Sequence, residues 1–448
     1  MMNKLNEKVT LLSLFKSTLP TATMMVFFAV YSIVDGMFVS RFVGSNALSA
    51  VNIVYPLISL LIGISVMFAT GGNAIVSRLM GEKKEQKARE IFSLIFIVTI
   101  ITGIIIGVIS IIFIKPIIML LGSTDSIYDY CKDYLMIFLI YAPFMMVKLF
   151  FDYFYVTVGK AGFGLAISVF GGILNIILDY VFIVIFDMGV AGAGYGTIIG
   201  YAIPALIGLV FFMNKKRTLY ITKPIMNIKA LIDSCINGSS EMVTQLATAV
   251  TTYLYNIAML KYLGEDGVAA ITVILYIQFL LSAAYIGFTS GAAPRIGYNY
   301  GAENKEQIQK LIKYSFIIIG TFSIISFIIA FMVKVPLTAL FCGKGTTVYN
   351  MTIHGFDLFS VSFLLCGFNI FTCGMFTAFS NGRVSGLLSL FRTFIFFIIG
   401  IIILPYFLEV DGVWLVAVFA ELFSLILSVA ALIKYKDEYG YSTKLKMA

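Results

Sequence analysis

Three polar side chains lie where the surrounding sequence is almost entirely apolar. They are Asp35, Asn175 and Asp179, and the last two are four residues apart, a spacing that puts both on one face of a helix. Apolar surroundings favour the protonated form of a carboxyl group, so such a group can load and release a proton near neutral pH. Two carboxylates and an amide oxygen suit Na⁺ equally well, because hard cations prefer oxygen ligands. The residues predict a site for H⁺ or Na⁺; the alternative is a buried network with a structural role only.

A second set of charged residues shares the same kind of surroundings. Lys148 and Asp152 are also four residues apart, and their simplest interpretation is an ion pair within one helix that faces a cavity or vestibule. A role in substrate binding or gating is the alternative. Glu241 lies near the start of a later apolar stretch. There it would either line a cavity and attract a cation or lie in water at the end of a helix.

Aromatic and thioether side chains precede the Lys148–Asp152 pair. Tyr141, Met145 and Met146 lie within two helical turns of Lys148. Aromatic faces and thioethers suit the recognition of flat or cationic molecules, so these residues are candidates for the lining of a substrate cavity. Ordinary helix packing is the other interpretation.

The composition determines what kind of element must hold these residues. The chain has 448 residues, of which 60% are hydrophobic and only 12% are charged, whereas about 25% are charged in ordinary soluble domains. The stretch from Phe92 to Ile114 contains no charge, and a run of roughly 20 apolar residues is what a membrane-spanning helix needs. These features predict an all-α integral membrane protein. A single histidine and no recognisable nucleophile or metal-ligand motif favour a protein that is not an enzyme and has no cofactor.

Polar and turn-forming breaks divide the chain into twelve apolar segments. Several exceed the minimum length of a span, which implies tilted or kinked helices. Pro20 in the first segment predicts a kink, because proline removes one backbone donor and clashes with the preceding turn. The segments are 12–39, 47–79, 91–114, 128–158, 162–186, 190–213, 234–262, 267–298, 311–333, 350–380, 384–408 and 411–434.

Basic residues predict the orientation in the membrane. Most of the 31 lysine and arginine residues lie in the two terminal tails and in the loops that follow even-numbered segments. The excess of basic residues on one side predicts that both termini face the cytoplasm, in a multi-pass protein of the cell membrane. Anionic membrane lipids at that face account for the net charge of +8 without a nucleic-acid partner. We expect a monomer.

The two halves of the chain repeat each other. Gly71 and Gly81 align with Gly291 and Gly301, and Pro116 aligns with Pro336. Each half has six segments, an even number, so both halves insert with the same orientation and a two-fold axis along the membrane normal relates them. The pattern predicts a first lobe of residues 1–213, a cytoplasmic loop of residues 214–230 and a second lobe of residues 231–448, with a substrate between the lobes.

The repeat does not extend to the buried acids. Asp35 aligns with Tyr255, whereas Asn175 and Asp179 align with Ile398 and Ile402. A lobe therefore packs without these polar groups, and the asymmetry indicates that the first lobe handles the cation.

Four stretches resemble the multidrug and toxic compound extrusion (MATE) family over nearly the whole chain. They are Pro20 followed by Val34-Asp35-Gly36, the segment Ser77-Arg78-Leu79-Met80-Gly81, the segment Leu174-Asn175-Ile176-Ile177-Leu178-Asp179, and Gly189-Val190-Ala191-Gly192-Ala193 before Thr197. The resemblance, strongest to the bacterial drug-export branch, implies a V-shaped pair of six-helix lobes. It also implies export of organic cations, dyes and fluoroquinolones in exchange for H⁺ or Na⁺. The positions that match the family's cation site are Asp35, Tyr134, Asn175, Asp179 and Thr197.

A lipid flippase of a related two-lobed family is the alternative function. A cavity for lipid-linked oligosaccharides must neutralise pyrophosphate, so membrane-embedded arginine or lysine residues should dominate it. Lys148 is the one clearly embedded basic residue, and carboxylates outnumber it. The sequence therefore favours antiport of small-molecule drugs and organic cations.

Overall fold

A computed structural model describes residue 5 and residues 7–341 and 343–441 of the chain, and this part is helical without strands. Short π-helical segments at Val39–Val43, Tyr180–Ile185 and Phe391–Ile395 follow three of the helices, and a 3₁₀ turn spans Ser360–Ser362. The helices are α1 Leu11–Phe38, α2 Ser45–Gly81, α3 Glu85–Ile112, α4 Ile114–Leu120, α5 Tyr128–Ile140, α6 Ala142–Thr157, α7 Ala161–Asp179, α8 Gly189–Met213, α9 Ile228–Gly301, α10 Lys305–Phe341, α11 Thr347–Phe359, α12 Phe363–Ala378, α13 Gly382–Leu390 and α14 Phe396–Tyr439.

Within the described residues these helices make twelve passes across a membrane. Nine are long and apolar enough to span, and α5 with α6, bent by 58°, forms a tenth candidate. Two of the nine each consist of two helices joined at a sharp turn, at Gly264 in α9 and at Glu409 in α14, where the backbone leaves helical geometry. Each of these two therefore counts as two passes. A Cβ on Gly412 would lie 2.4 Å from the backbone of Leu404, eight residues earlier, which shows how tightly the chain turns back. The prediction of twelve spanning helices in an all-α membrane protein is confirmed.

Polar caps start the first helix of each half. Thr10 Oγ1 accepts a hydrogen bond from the Ser13 amide, and Ser13 Oγ accepts one from the Thr10 amide, which together form a capping box. Asn227 Oδ1 accepts a hydrogen bond from the Ala230 amide at the start of α9. The second half therefore begins at Ile228, slightly before the predicted boundary at residue 231.

Reciprocal glycine contacts show the two-fold relation between the lobes. A Cβ on Gly81 would lie 2.0 Å from the carbonyl oxygen of Tyr298, and a Cβ on Gly301 would lie 2.0 Å from that of Arg78. Glycine is required at both places because the two backbones touch. Since Gly81 aligns with Gly301 and Arg78 with Tyr298, each lobe makes the same contact with the other.

The lobes meet at one end of the bundle. We call the side where α1 begins, α2 ends and α9 both begins and ends the termini side. A Cβ on Gly71 would lie 1.9 Å from the carbonyl oxygen of Ser234, six residues into α9. At mid-span, Ser59 Oγ of α2 donates to the carbonyl oxygen of Gln245 in α9 over 3.3 Å. Because the closest backbone contacts, at Gly71, Gly81 and Gly301, lie toward the termini side, the cleft between the lobes opens on the opposite side.

Apolar side chains cover the outside of both lobes. On α3, Ile104, Ile105 and Ile112 are 49%, 51% and 68% exposed. Such aliphatic surface is stable in contact with lipid and not with water. The protein is a multi-pass membrane protein.

Candidate functional site: a buried carboxyl pair in the first lobe

Asp35 and Asp179 come together between α1 and α7. Their carboxyl groups lie close enough for a hydrogen bond between them once one is protonated. Asp179 is completely buried, and Asp35 is partly buried. A hydrogen bond between two carboxyl groups needs a proton on one of them, because two ionised carboxylates present only acceptors and repel each other. The arrangement therefore suits a shared proton, or a cation in its place.

Asn175 connects the pair to α8. Its amide Nδ2 donates to Asp179 Oδ1 and to Thr197 Oγ1, each over 3.3 Å. Gly196, beside Thr197, leaves room for the carboxyl group, since a Cβ there would lie 2.2 Å from Asp179 Oδ1. The sequence identified Asp35, Asn175, Asp179 and Thr197 as one site, and the structure brings these four together.

The site presents oxygen atoms that lack a donor. Asn175 Oδ1 is buried without a hydrogen-bond donor, as are Asp35 Oδ1 and Asp179 Oδ2 when both carboxyl groups are ionised. Buried oxygens of this kind are rare in folded proteins unless a proton, a water or an ion satisfies them. With Thr197 Oγ1 they form a set of carboxylate, amide and hydroxyl oxygens that suits H⁺ or Na⁺. Among the residues described, no group of three His, Cys, Asp or Glu side chains is placed to hold a metal ion.

Helix irregularities flank both carboxyl groups. Asp179 is the last residue of α7, and a π-helical segment begins at the next residue. Asp35 lies one turn before the π-helical segment that follows α1. Such segments occur often at functional sites because they re-aim side chains within a helix. The predicted kink at Pro20 produces no break in this conformation, since α1 continues through Pro20.

Tyr134 lies beside this site without a direct hydrogen bond to it. Its ring is 4% exposed and packs against Phe138, with centroids 4.8 Å apart. The hydroxyl group is close enough to Asp35 and Asp179 to interact electrostatically with both. Tyr134 is therefore a neighbour of the carboxyl pair, as its predicted place in the site requires.

Lys148 and Asp152 form the predicted ion pair within α6. Lys148 Nζ lies 2.6 Å from Asp152 Oδ2, and Ser168 Oγ donates to Asp152 Oδ1 over 3.1 Å. Both charged residues are 5% exposed, so the pair lies in the interior of the first lobe. Lys148 also lies over the ring of Tyr201, 5.5 Å from its centroid. In this conformation the pair does not face an open vestibule.

A small cavity joins the ion pair to the carboxyl site. It has a volume of about 10 Å³, room for about one water molecule. At one edge of it the Tyr31 hydroxyl donates to the Tyr201 hydroxyl over 3.1 Å. The polar residues that line it are Tyr31, Lys148, Ser168, Asn175, Thr197 and Tyr201.

The predicted aromatic and thioether lining is divided in the structure. Met145 and Met146 are completely buried among apolar side chains of the first lobe, so neither lines an open cavity in this conformation. Tyr141, at the bend between α5 and α6, is 36% exposed. The spacing along the helix predicted how these residues lie relative to one another. Whether they face the cleft or the core depends on the bend between α5 and α6, which the sequence did not reveal.

Glu241 lies where the two lobes meet, and not in water at the end of a helix. It is partly buried in α9 and interacts electrostatically with Arg392 of its own lobe. It also lies near Tyr153 of the first lobe, whose hydroxyl group is close to Ser290 of the second lobe. Of the two interpretations of Glu241, the structure favours a place at the closed end of the cleft.

Sequence reasoning placed Glu421 at membrane depth but missed its partners in a buried polar cluster of the second lobe, Arg392 and Asn369. Arg392 Nη2 and Nε bind Glu421 Oε1 over 2.8 and 3.0 Å. Asn369 Nδ2 donates to Glu421 Oε2 over 2.7 Å. The signal that could have found it is that Arg392 stands inside the predicted span 384–408 and needs a partner at that depth.

Comparisons with known proteins agree with one another. The family model described as MatE matches the chain twice, over residues 20–181 and 241–404, once in each lobe. The multidrug export protein MepA of Staphylococcus saprophyticus is 24% identical over 410 residues, which cover 90% of this chain and 88% of that protein. MepA of Staphylococcus haemolyticus is 26% identical over 381 residues, 83% of each chain. A multidrug resistance MATE family transporter of the MOP superfamily, solved in an outward-facing conformation, superposes with a TM-score of 0.92 at 20% identity over 99% of both chains.

Proposed function

This chain belongs to the MatE family of transporters, and we propose that it exports small organic molecules, organic cations among them, in exchange for H⁺ or Na⁺. The two similar proteins from Staphylococcus are multidrug export proteins, which supports a drug-like substrate. The substrate binds in the cleft between the lobes. The two lobes rock against each other, so that the cleft opens to one side of the membrane at a time.

The carboxyl pair of Asp35 and Asp179 carries this proposal. A site that needs a proton or cation to offset two buried carboxylates changes its preferred geometry when that ion leaves. Asp35 is on α1 and Asp179 on α7, so loading and unloading of the ion alters the fit between these two helices. If ion release and substrate release alternate, the movement of the ion into the cell would be coupled to the export of the substrate.

The charges around the cleft favour a cationic substrate over a phosphate-bearing lipid. Glu241 stands at the closed end of the cleft and has no ion-pair partner among the described residues. The embedded cations Lys148 and Arg392 are each held by a carboxylate. A lipid-linked oligosaccharide would bring a pyrophosphate into the cleft, where neither of these cations is free to neutralise it. The buried Arg295 lies outside the cleft, against Ser17 and the backbone of Glu7 on the termini side.

The orientation belongs to the same proposal. The termini side carries most of the lysine and arginine residues of the loops and tails, so it faces the cytoplasm. The conformation described above is then closed to the cytoplasm and open outward. This agrees with its similarity to a transporter solved in an outward-facing conformation.

Dye efflux from proteoliposomes tests the proposal. Purified protein is reconstituted, and efflux of an ethidium-type dye is driven separately by a pH gradient and by a Na⁺ gradient. Asp35→Asn and Asp179→Asn each mimic a protonated acid, so both variants should bind dye and lose gradient-driven efflux. Asn175→Ala should weaken efflux less if H⁺ is the ion and more if Na⁺ needs the amide oxygen.

The matched control is Asp187→Asn, an exposed acid of the same lobe, which should transport normally. If both buried variants pump at the wild-type rate, the coupling site lies elsewhere and Glu241 is the next candidate. If the wild-type protein moves no dye under either gradient, antiport is wrong and the flippase alternative gains.

A further inference from the structure

We propose that Arg295 is the gating residue on the termini side, where it holds α1 of the first lobe against α9 of the second and releases it when the cleft opens to that side. The proposal rests on the alternating access of the proposed function. It concerns a residue outside the carboxyl site and outside the cleft lining described above.

The guanidinium group of Arg295 reaches across the contact between the lobes. Its Nη2 donates to the carbonyl oxygen of Glu7 over 2.9 Å, and its Nη1 donates to Ser17 Oγ over 3.3 Å. Arg295 is only 3% exposed although it carries a charge. One side chain of the second lobe thus holds both the segment before α1 and the first turns of α1.

Two glycines extend the same face of α9. Gly287, Gly291 and Arg295 are spaced four residues apart, so they line up along one side of the helix. A Cβ on Gly287 would lie 2.5 Å from Ala22 Cα, and one on Gly291 would lie 3.0 Å from Thr18 Cα. The small residues let the α1 backbone approach, and Arg295 closes the row at its termini-side end.

The segment before α1 makes contacts with both lobes. Val9 is 2% exposed and packs in the core of the second lobe, and its amide donates to Gln307 Oε1 over 2.8 Å. Leu5 is 3% exposed and packs in the core of the first lobe. Residues 5 and 7–10 therefore cross the boundary between the lobes beside Arg295, and this boundary must part when the termini side opens.

Arg295 differs from the other buried cations in its pairing. Lys148 and Arg392 are each ion-paired with a carboxylate. Arg295 forms no salt bridge with any described residue, and its Nε has no acceptor. The Glu7 carboxylate interacts with it electrostatically without direct contact. A buried guanidinium without a carboxylate in direct contact loses more hydration than its hydrogen bonds return, and water restores that hydration when the helices separate. The two hydrogen bonds of Arg295 therefore hold the closed state in a defined geometry. The guanidinium group is still incompletely hydrogen-bonded, so the contact can open reversibly.

The repeat indicates that this charge is not needed for packing. The alignment that pairs Gly71 with Gly291 and Gly81 with Gly301 pairs Ile75 with Arg295. Ile75 is buried and apolar. The equivalent crossing in the other lobe thus closes without an arginine, and the charge is specific to the α1 side.

Distances between spin labels on the two lobes test the proposal. Labels on Lys87→Cys and Lys313→Cys, both exposed, report the separation of the lobes on the termini side once the five native cysteines are replaced. Arg295→Met keeps the apolar stem and removes the donors. It should raise the ratio of the longer-distance to the shorter-distance population at least tenfold, and Arg295→Lys should give an intermediate ratio.

Arg89→Met is the matched control, because Arg89 also donates to a backbone carbonyl, that of Thr218, without joining α1 to α9; its distances should stay at wild-type values. Wild type is measured at two pH values, with and without dye. A single unchanging distance in wild type would contradict alternating access itself. Two populations in wild type with no increase in the longer one for Arg295→Met would overturn the gating role alone.

If Arg295→Met does not fold, Ser17→Ala and Gln307→Ala decide the question. Each removes one hydrogen bond between the lobes and leaves Arg295 in place. Each should raise the longer-distance population by a smaller factor than the tenfold predicted for the arginine variant. If both variants fold and keep the wild-type distribution, the proposal is wrong.

Discussion

The buried pairs of charged or acidic side chains that the structure describes are of two different kinds. Lys148 with Asp152 and Arg392 with Glu421 are complete pairs that need nothing from outside the chain. The Asp35–Asp179 pair is incomplete, since it consists of two acids that require a proton or a cation. A complete pair contributes to the structure, whereas under the proposed function the incomplete pair responds to the ion concentrations on the two sides of a membrane.

The Lys148–Asp152 pair gives a stability prediction. Lys148→Met leaves the Asp152 carboxylate buried without its cation, which should lower the free energy of unfolding by roughly 3–5 kcal/mol. The double variant Lys148→Met, Asp152→Leu removes both charges and should recover most of that loss. Thermal unfolding of the purified protein in detergent, with folded yield as a second measure, checks both.

Lys84→Met provides the comparison, because Lys84 pairs with Glu82 at the surface and its side chain is 58% exposed. Its effect should be within about 1 kcal/mol. A buried single variant that unfolds at the wild-type temperature but transports poorly would show that the pair acts in transport and not in stability.

At the scale of elements, the helices of this protein are held together by backbone contacts at glycine. Gly71 in α2 and Gly238 in α9 let the two helix backbones come so close that a Cβ on either glycine would lie 1.9 Å from a carbonyl oxygen of the other helix. Contacts of this kind do not tolerate larger side chains, because the addition of a single methyl group would push the two helices apart. They determine whether the termini side can close.

Gly71→Ala should therefore favour the state that is open on the termini side. The added Cβ collides with the Ser234 carbonyl oxygen, so α2 and α9 cannot reach the closed distance. The spin-label pair on α3 and α10 should show a larger longer-distance population. Gly162→Ala, with no atom within 4 Å of the new Cβ, should be neutral or slightly stabilising because alanine favours a helix. An unchanged distribution for Gly71→Ala would show that this crossing does not limit closure.

The sequence predicted the elements better than the direction of their faces. Apolar runs gave the twelve passes, because the length of a span is fixed by the thickness of the membrane. The four-residue spacing of Asn175 and Asp179 gave their common face. The π-helical segments beside the acids were not predictable, since they follow from packing between helices and not from local propensity.

The same limit applied to single residues near the ends of spans. Met145 and Met146 lie on a helix that was identified correctly, but they face the core because α5 and α6 are bent by 58°. Arg295 resembles a loop cation in sequence because it lies near the end of the predicted span 267–298, whereas Arg392 lies well inside the predicted span 384–408. The distinction between a solvated cation and a buried one depends on neighbours that are distant in the chain.

At the scale of the whole molecule, two similar lobes carry different chemistry. The scaffold repeats, as the reciprocal contacts of Gly81 and Gly301 show. The acids at positions 35 and 179 and the arginine at position 295 occur in one copy each. Under the proposed function, the repeated frame lets the two lobes rock as equal bodies. The unequal residues would then set which ion drives the motion and how strongly the termini side closes.

The orientation of the whole molecule gives a labelling prediction. Lys216→Cys, in the loop between the lobes, should not react with a membrane-impermeant maleimide added outside intact cells, because the excess of basic residues predicts that this loop faces the cytoplasm. Asp125→Cys, in the loop between α4 and α5 on the opposite side, should react readily. Both positions are exposed, so accessibility within the protein does not decide the result. Rapid labelling of the first variant and protection of the second would reverse the assigned orientation.

The contact of α1 with α9 also bears on how the protein is made. α1 is the first helix to leave the ribosome, yet Gly287, Gly291 and Arg295, which receive it, are synthesised more than 250 residues later. During synthesis the face of α1 that later contacts α9 must therefore be covered by lipid or by the rest of the first lobe until α9 has been made. The first lobe therefore does not reach its final structure when its own synthesis ends. Its first helix, although made first, is among the last elements to reach its final position.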